Sequence, residues 1–203
     1  RISGLDLARS LPPMAECPSW ARMGREPWAD GRTLLLPCYD AAGALVGLRA
    51  RWTGASWDDG AGRWVEERCD GGKEISPRGP GALRGTVYAD PVGRWLLEAG
   101  PDAARGGQPD PDAPGLRWDG RVLVVEGGPG WLHYAAGPGR VRLDEEGTGW
   151  TWAVLGIWSG AWPDDGAGRE LAARLVGAEL VTLATDDDQS GDRYASRIAD
   201  ALE

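Results

Sequence analysis

The sequence reads as an α/β protein: a parallel sheet with flanking helices in the C-terminal half, preceded by an α+β region. Three observations carry this. Between residues 122 and 202, short continuous apolar runs rich in β-branched residues alternate with helix-patterned segments, as expected of parallel strands covered on both faces. Two of those runs end in carboxylates, Glu126 and Asp186. Upstream, two apolar runs are joined by an Asp/Gly turn.

The elements follow in order. Val122 to Val125 is a strand running into Glu126-Gly127-Gly128-Pro129, and a helix is expected from about Pro129 to Ala136 because proline suits a first helical turn. A second strand covers about Trp152 to Ile157. The next helix, about Gly168 to Val176, places Leu171 and Leu175 one turn apart and stops at Gly177. Leu180 to Ala184 is the third strand and Asp192 to Leu202 the last helix. In sheets of this kind ligands lie outside the carboxyl ends of the strands, so Glu126 and Asp186 are expected to converge. Upstream, Gly31-Arg32-Thr-Leu-Leu-Leu-Pro37-Cys-Tyr-Asp40 and Gly43-Ala-Leu-Val-Gly47-Leu-Arg49-Ala-Arg51 predict a hairpin. Gly100 to Leu116 is rich in Pro, Gly and Asp and has no apolar period. The expected organisation is an N-terminal α+β subdomain over 1–100, a linker over 101–118 and a C-terminal domain over 119–203.

The chemistry concentrates in Asp186-Asp187-Asp188-Gln-Ser-Gly191. Strand alternation puts Asp186 and Asp188 on one side of the chain, and carboxylate oxygens are hard ligands suited to Mg²⁺ or Mn²⁺. Asp187 has an equal claim by composition and loses only by alternation. The competing reading is a solvated acidic loop, with Glu126 no more than a favourable charge near a helix N-terminus. Lys73 is the only lysine among 22 basic residues, which suits a compact charge on a nucleotide phosphate but also fits chance. Arg49 and Arg51, two apart, face the same way and would grip template or nucleotide, or stand as solvated strand arginines. With twelve Trp and no Phe, most tryptophans are expected to fill the core.

These residues and their order resemble a Toprim domain, the metal-binding fold shared by bacterial-type DNA primases, type IA and II topoisomerases and several nucleases. The glutamate and glycine after the first strand are matched by Glu126-Gly127, and the later Asp-x-Asp with its following glycine by Asp186, Asp188 and Gly191. Gly160 sits where primases have a glycine after the second strand. This resemblance covers about residues 119 to 203 and implies a Rossmann-like parallel sheet. The hairpin with Arg49 and Arg51, the loop Lys73-Glu-Ile-Ser76-Pro77 and the short strand Gly85-Thr-Val-Tyr88 are similar to the segment preceding the Toprim domain in primase cores, which extends the likeness to about residues 30 to 203. Two departures stand out. Primases carry an aspartate four residues after the motif glutamate, where this chain has Gly130; they also place an acidic pair beyond the Asp-x-Asp helix, and this sequence stops at Glu203.

The resemblance implies metal-assisted nucleotidyl transfer: Asp186 and Asp188, with Glu126 as ligand or general acid/base, would hold Mg²⁺ or Mn²⁺ while Arg49, Arg51 and Lys73 bind template or nucleotide. The implied partners are a single-stranded DNA template and ribonucleotides, with a replicative helicase as a further candidate. The first reading is the RNA-polymerase core of a DNA primase, cut from a longer primase or primase-helicase of a phage or mobile element. A Toprim nuclease would use the same carboxylates with water, and a non-catalytic Toprim module would bind a replication partner. For the primase reading, the departures lead to the expectation that this chain folds and binds metal but makes little primer until flanking segments are restored.

Composition narrows the other possibilities. The formal net charge is −9, with twelve Lys or Arg against eleven Asp or Glu in residues 1–89 and ten against twenty in residues 90–203. An acidic chain is a poor bulk binder of nucleic acid, so any groove for it must be local and lie in the N-terminal half. Cys17, Cys38 and Cys69 are widely spaced and His133 stands alone, so neither a zinc set nor a disulfide framework is expected. Cys38 lies within an apolar strand and reads as a buried thiol. No secretory or spanning segment is evident, which leads to the expectation of a cytoplasmic protein without membrane contact.

Overall fold

The computed structural model describes residues 22–23, 26–27, 34–52, 54–66, 74–76, 83, 85–109, 115–137, 139–158, 162 and 166–203. It is a mixed α/β structure. Two compact units emerge: one comprises Arg1, 38–46 and 83–203, the other 2–37 and 47–82.

In the N-terminal unit β1 (Arg22–Met23) pairs with β2 (Glu26–Pro27). β3 (Leu34–Tyr39) and β4 (Leu45–Arg51) form the expected hairpin, β5 (Ala55–Asp58) pairs with β6 (Arg63–Glu66), and β7 (Glu74–Ile75) adds to β4. The hairpin turn, grouped with the C-terminal unit, closes on Asp40, whose Oδ1 accepts from the backbone N–H groups of Ala42 and Ala44 at 2.9 and 3.0 Å. Gly43 takes φ +76° there, a left-handed conformation that glycine adopts without steric cost.

The larger unit is a five-stranded mixed sheet. β8 (Tyr88–Ala89) leads into α1 (Pro91–Ala99) and a 3₁₀ turn (Gly100–Asp102). β9 (Leu116–Glu126), α2 (Gly128–Ala135), β10 (Arg142–Leu143), β11 (Gly149–Ile157), α3 (Gly166–Arg174), β12 (Leu180–Ala184) and α4 (Gln189–Leu202) follow. β9 is central, with β11 and β12 parallel on either side; β8 and β10 run antiparallel to β11. β9 therefore begins at Leu116, within the span expected as linker, and α1 groups with the unit that holds the parallel strands.

Alternation sorts the side chains of the central strands. Val122 and Val124 of β9 and Ala153, Leu155 and Ile157 of β11 join one core with Leu96 and Leu97 of α1, Leu171 of α3, Leu175 just after it, and Ile198 of α4. On the opposite face Trp131 of α2 lies against Gly156, where a Cβ would come within 2.7 Å of the Trp131 side chain. Trp118, Trp131 and Trp162 are buried, so these three tryptophans fill interior volume as expected of a chain without Phe, at roughly 25 cal/mol per Å² of apolar surface removed from water. Cys38 is a buried thiol. Among the described residues no helix is long and apolar enough to cross a membrane.

A buried ion pair ties three elements together. Asp90, the N-cap of α1, accepts from the N–H of Gly93 at 2.7 Å and of Val154 at 2.9 Å through Oδ1, while its Oδ2 faces the Arg140 guanidinium. Arg140 also donates to the carbonyls of Ala135 and Trp152. Burial lowers the Arg140 pKa to about 10, so the side chain stays charged at neutral pH, where it faces the carboxylate.

Candidate functional site

The register of the parallel strands brings their carboxyl ends level. Glu126 is the last residue of β9 and pairs with Ile157, the last of β11; Ala184, the last of β12, pairs with Val125. The expected convergence of the two acidic segments is met: Glu126 Oε2 accepts a hydrogen bond of 3.1 Å from the backbone N–H of Asp186. Gly127 follows with φ +79°. Its N–H donates to the Ile157 carbonyl at 2.7 Å and its own carbonyl accepts from Trp131 in α2. A side chain at 127 would strain this reversal from strand to helix.

The aspartates are placed by a turn, because β12 stops at Ala184 and alternation no longer sets side-chain directions beyond it. The Asp186 carbonyl accepts from Asp188 N–H at 2.9 Å. Asp188 is the N-cap of α4, and its Oδ1 accepts from Ser190 and Gly191 N–H, both at 2.8 Å. That is the ordinary use of aspartate at a helix start. It leaves Oδ2 for other partners. Gly191 packs its Cα against the turn so closely that a Cβ would lie 1.9 Å from the Asp186 carbonyl oxygen. Asp186, Asp187 and Asp188 are exposed and Glu126 is half-buried.

Three carboxylates thus stand on one rim, with two of them, Glu126 and Asp188, each held by backbone N–H groups. Their oxygens are of the right chemistry for a hard divalent cation. Among the described residues they do not form a closed cluster of three metal-ligating groups, so a cation would have to draw the Asp186 carboxylate and Asp188 Oδ2 together.

Arg49 and Arg51 face the same way, as alternation requires, and both meet one carboxylate. Glu74 accepts from Arg49 Nε at 2.8 Å and from Arg51 Nη1 at 3.3 Å, and all three side chains are largely shielded from water. The pairing follows from strand register, Arg51 opposite Glu74. It leaves the trio with a net charge of +1. Lys73 and Gly160 lie outside the described residues, as do Arg32, Pro77, Cys17 and Cys69. Glu74 and the Asp90–Arg140 pair were not singled out in the sequence. For Asp90 a signal existed, an aspartate directly before a proline that opens a helix.

The chain matches no family model, and comparison with curated proteins and with solved structures finds no significant match.

Proposed function

We propose that the C-terminal unit is a Toprim-type domain carrying out divalent-metal-dependent phosphoryl transfer, and that the chain is the catalytic core of a DNA primase. The observation that supports this best is the meeting of Glu126 with the Asp186 turn, 3.1 Å apart at the carboxyl ends of adjacent parallel strands. Two motif glycines add to it, since Gly127 has a positive φ and Gly191 has no room for a side chain.

Glu126, Asp186 and Asp188 Oδ2 would hold the ion. A bound Mg²⁺ or Mn²⁺ supplies charge neutralisation on nucleotide phosphates and a lowered pKa for an attacking 3′-hydroxyl. The chain's own residues do the rest. The Asp186 N–H holds one oxygen of Glu126 in place, which leaves the other free to act as ligand or proton acceptor. Asp188 anchors the turn to α4 through Oδ1. Arg49 and Arg51 offer guanidinium groups that suit phosphate, held in place by Glu74, with Lys73 as the third basic candidate.

The test is incubation of single-stranded template with labelled ribonucleotides and Mg²⁺ or Mn²⁺, read for both primer synthesis and template cutting, beside a Mn²⁺ titration. Metal binding and nucleotide incorporation that are both lost in Asp186→Asn support the primase reading. Synthesis is expected to be weak and to improve from low to moderate salt, because the net charge of −9 opposes capture of a polyanion and salt screens that repulsion. Template cutting without synthesis reassigns the site to a nuclease. Absence of metal binding leaves a non-catalytic module.

A further inference from the structure

The sheet face that carries Trp131 changes character along the strands. Toward their carboxyl ends it is closed: Trp131 of α2 packs against Gly156, and Val154 is buried. Toward their amino ends it is partly open to water, and alternation fills it with arginine and tryptophan. Register sets Arg142 of β10 opposite Trp150 of β11, and Trp150 opposite Arg117 of β9. The three side chains therefore form one row on one face, spanning roughly 10 Å at the usual spacing of adjacent strands. Further along, Trp152 and Arg121 repeat the combination, with the guanidinium carbon 5.1 Å from the ring centre. Arg105, from the loop before β9, lies 5.8 Å from the ring centre of Trp150. Arg117, Arg121, Trp150 and Trp152 are half-buried, and Arg105 and Arg142 are exposed. Composition directs the search for basic surface to the N-terminal half, yet four of the ten basic residues of 90–203 meet here.

The nearby carboxylates are engaged. Asp119, which is buried, accepts from Arg121 Nε at 2.7 Å and from the Arg121 backbone N–H at 3.1 Å; Glu179 accepts from Arg105 at 3.3 Å. Asp144 accepts from the N–H groups of Glu146 and Thr148 through Oδ1, and from Trp150 Nε1 at 2.8 Å through Oδ2. That last bond fixes the indole by its edge and leaves the ring faces to other partners. Arg117 donates to Gln108 and to the Leu116 carbonyl, and among the described residues neither Arg117 nor Arg142 meets a carboxylate. The unpaired positive charge thus stands on either side of Trp150. Glu145 and Glu146 are exposed on the turn beside Asp144, so the favourable path for a polyanion crosses the strands from Arg142 to Arg117 and Arg121.

We propose that this arginine–tryptophan face binds single-stranded nucleic acid without sequence preference, with phosphates on Arg117 and Arg142 and bases stacked on the indole and guanidinium planes. Every base offers a π-face and every linkage a phosphate, which alternating indole and guanidinium groups match. A duplex keeps its bases inside, and an acidic peptide has no base to stack. The proposal stands apart from the metal site and requires neither an ion nor Glu126.

The probe is a short fluorescein-labelled oligothymidylate, read by anisotropy in EDTA at moderate salt, where the net charge of the chain is screened. An abasic strand of equal length and poly-glutamate are the comparison ligands. The oligothymidylate should bind at least tenfold more tightly than the abasic strand, which lacks the rings that stack. Arg117→Gln with Arg142→Gln should weaken binding at least tenfold through lost phosphate contacts. Trp150→Phe should keep most of the affinity and Trp150→Leu lose about tenfold; both remove the bond to Asp144, so a merely structural role for the ring would not separate them. Absence of oligothymidylate binding by the parent overturns the proposal. Equal binding of the abasic strand or of poly-glutamate also overturns it, because the surface would then read charge alone. So does binding that is lost in Arg49→Gln with Arg51→Gln and kept in Arg117→Gln with Arg142→Gln, which would move the single strand to the N-terminal hairpin.

Discussion

Asp188→Asn separates the helix cap that Asp188 forms from the cation contact proposed for it. One oxygen caps α4 through two bonds of 2.8 Å to Ser190 and Gly191; the other would reach a cation. Asparagine caps a helix about as well as aspartate, whereas alanine at an N-cap costs about 1 kcal/mol. For a chain of about 200 residues that is a fall of about 2–4 °C in melting temperature. Asp188→Ala should therefore melt 2–4 °C lower by this estimate, and Asp188→Asn within about 1 °C of the parent. Metal affinity should sort the variants differently. Both remove a unit of negative charge from the rim, and each should weaken Mn²⁺ binding by about tenfold or more, near 1.4 kcal/mol. Thermal scans without metal and calorimetric Mn²⁺ titration of the same preparations give both numbers. If Asp188→Asn binds Mn²⁺ as tightly as the parent while Asp188→Ala loses only its few degrees, Asp188 is a helix cap and the metal assignment is wrong at this residue.

Three further outcomes follow from the geometry. Glu126→Gln keeps an acceptor for the Asp186 N–H, so the turn should hold while Mn²⁺ affinity drops about tenfold; undiminished affinity would remove Glu126 from the site. Gly191→Ala forces a Cβ toward the Asp186 carbonyl oxygen, 1.9 Å away, so the turn must part from α4 at a cost of about 1–3 kcal/mol; denaturant midpoints that match the parent would show that the contact is slack. Burial raises the Tyr39 phenol above its usual pKa, a shift that the nearby Arg94 only partly offsets. As pH climbs past 10 the unfolded chain releases that proton before the folded one, so stability should fall with rising pH, and Tyr39→Phe should flatten the fall; an identical alkaline slope in Tyr39→Phe would exclude this residue as its source.

The strand cores were readable from apolar runs because burial on both faces leaves a continuous signal, and so Val122 to Val125 and Leu180 to Ala184 could be placed closely. The start of β9 could not. Its first residues include Asp119 and Arg121, which pair with each other across Gly120 at φ +86°, and a charged pair around a glycine looks like a turn until the strand beside it is known. α1 is only nine residues long and has Gly93 inside it, which mutes its period; its clearest marks are Asp90-Pro91 in front and Gly100 behind. In the site, the meeting of Glu126 with the Asp186 turn followed from topology alone, since parallel strands end together. The shared facing of Arg49 and Arg51 followed from alternation, but their common partner Glu74 depends on cross-strand register, which no local pattern encodes.

Linkage to a cation separates the two readings of the acidic turn. Three consecutive aspartates with Glu126 beside them gather like charge on a rim that is exposed on the aspartate side. Without a cation their mutual repulsion opposes the turn, so neutralising Asp186 by Asp186→Asn should leave the metal-free fold as stable or slightly more stable. A cation that binds only the folded rim adds stability by mass action, about 2.7 kcal/mol at a hundred times its dissociation constant. Mn²⁺ should therefore raise the melting temperature of the parent and not that of Asp186→Asn. A purely structural acidic loop predicts instead no response to Mn²⁺ in either chain, and a loss of stability only where Asp188 is prevented from capping α4. The two readings thus differ in a single comparison, whether Mn²⁺ stabilises the parent and not Asp186→Asn, two chains that differ by the replacement of one carboxylate oxygen with an amide nitrogen.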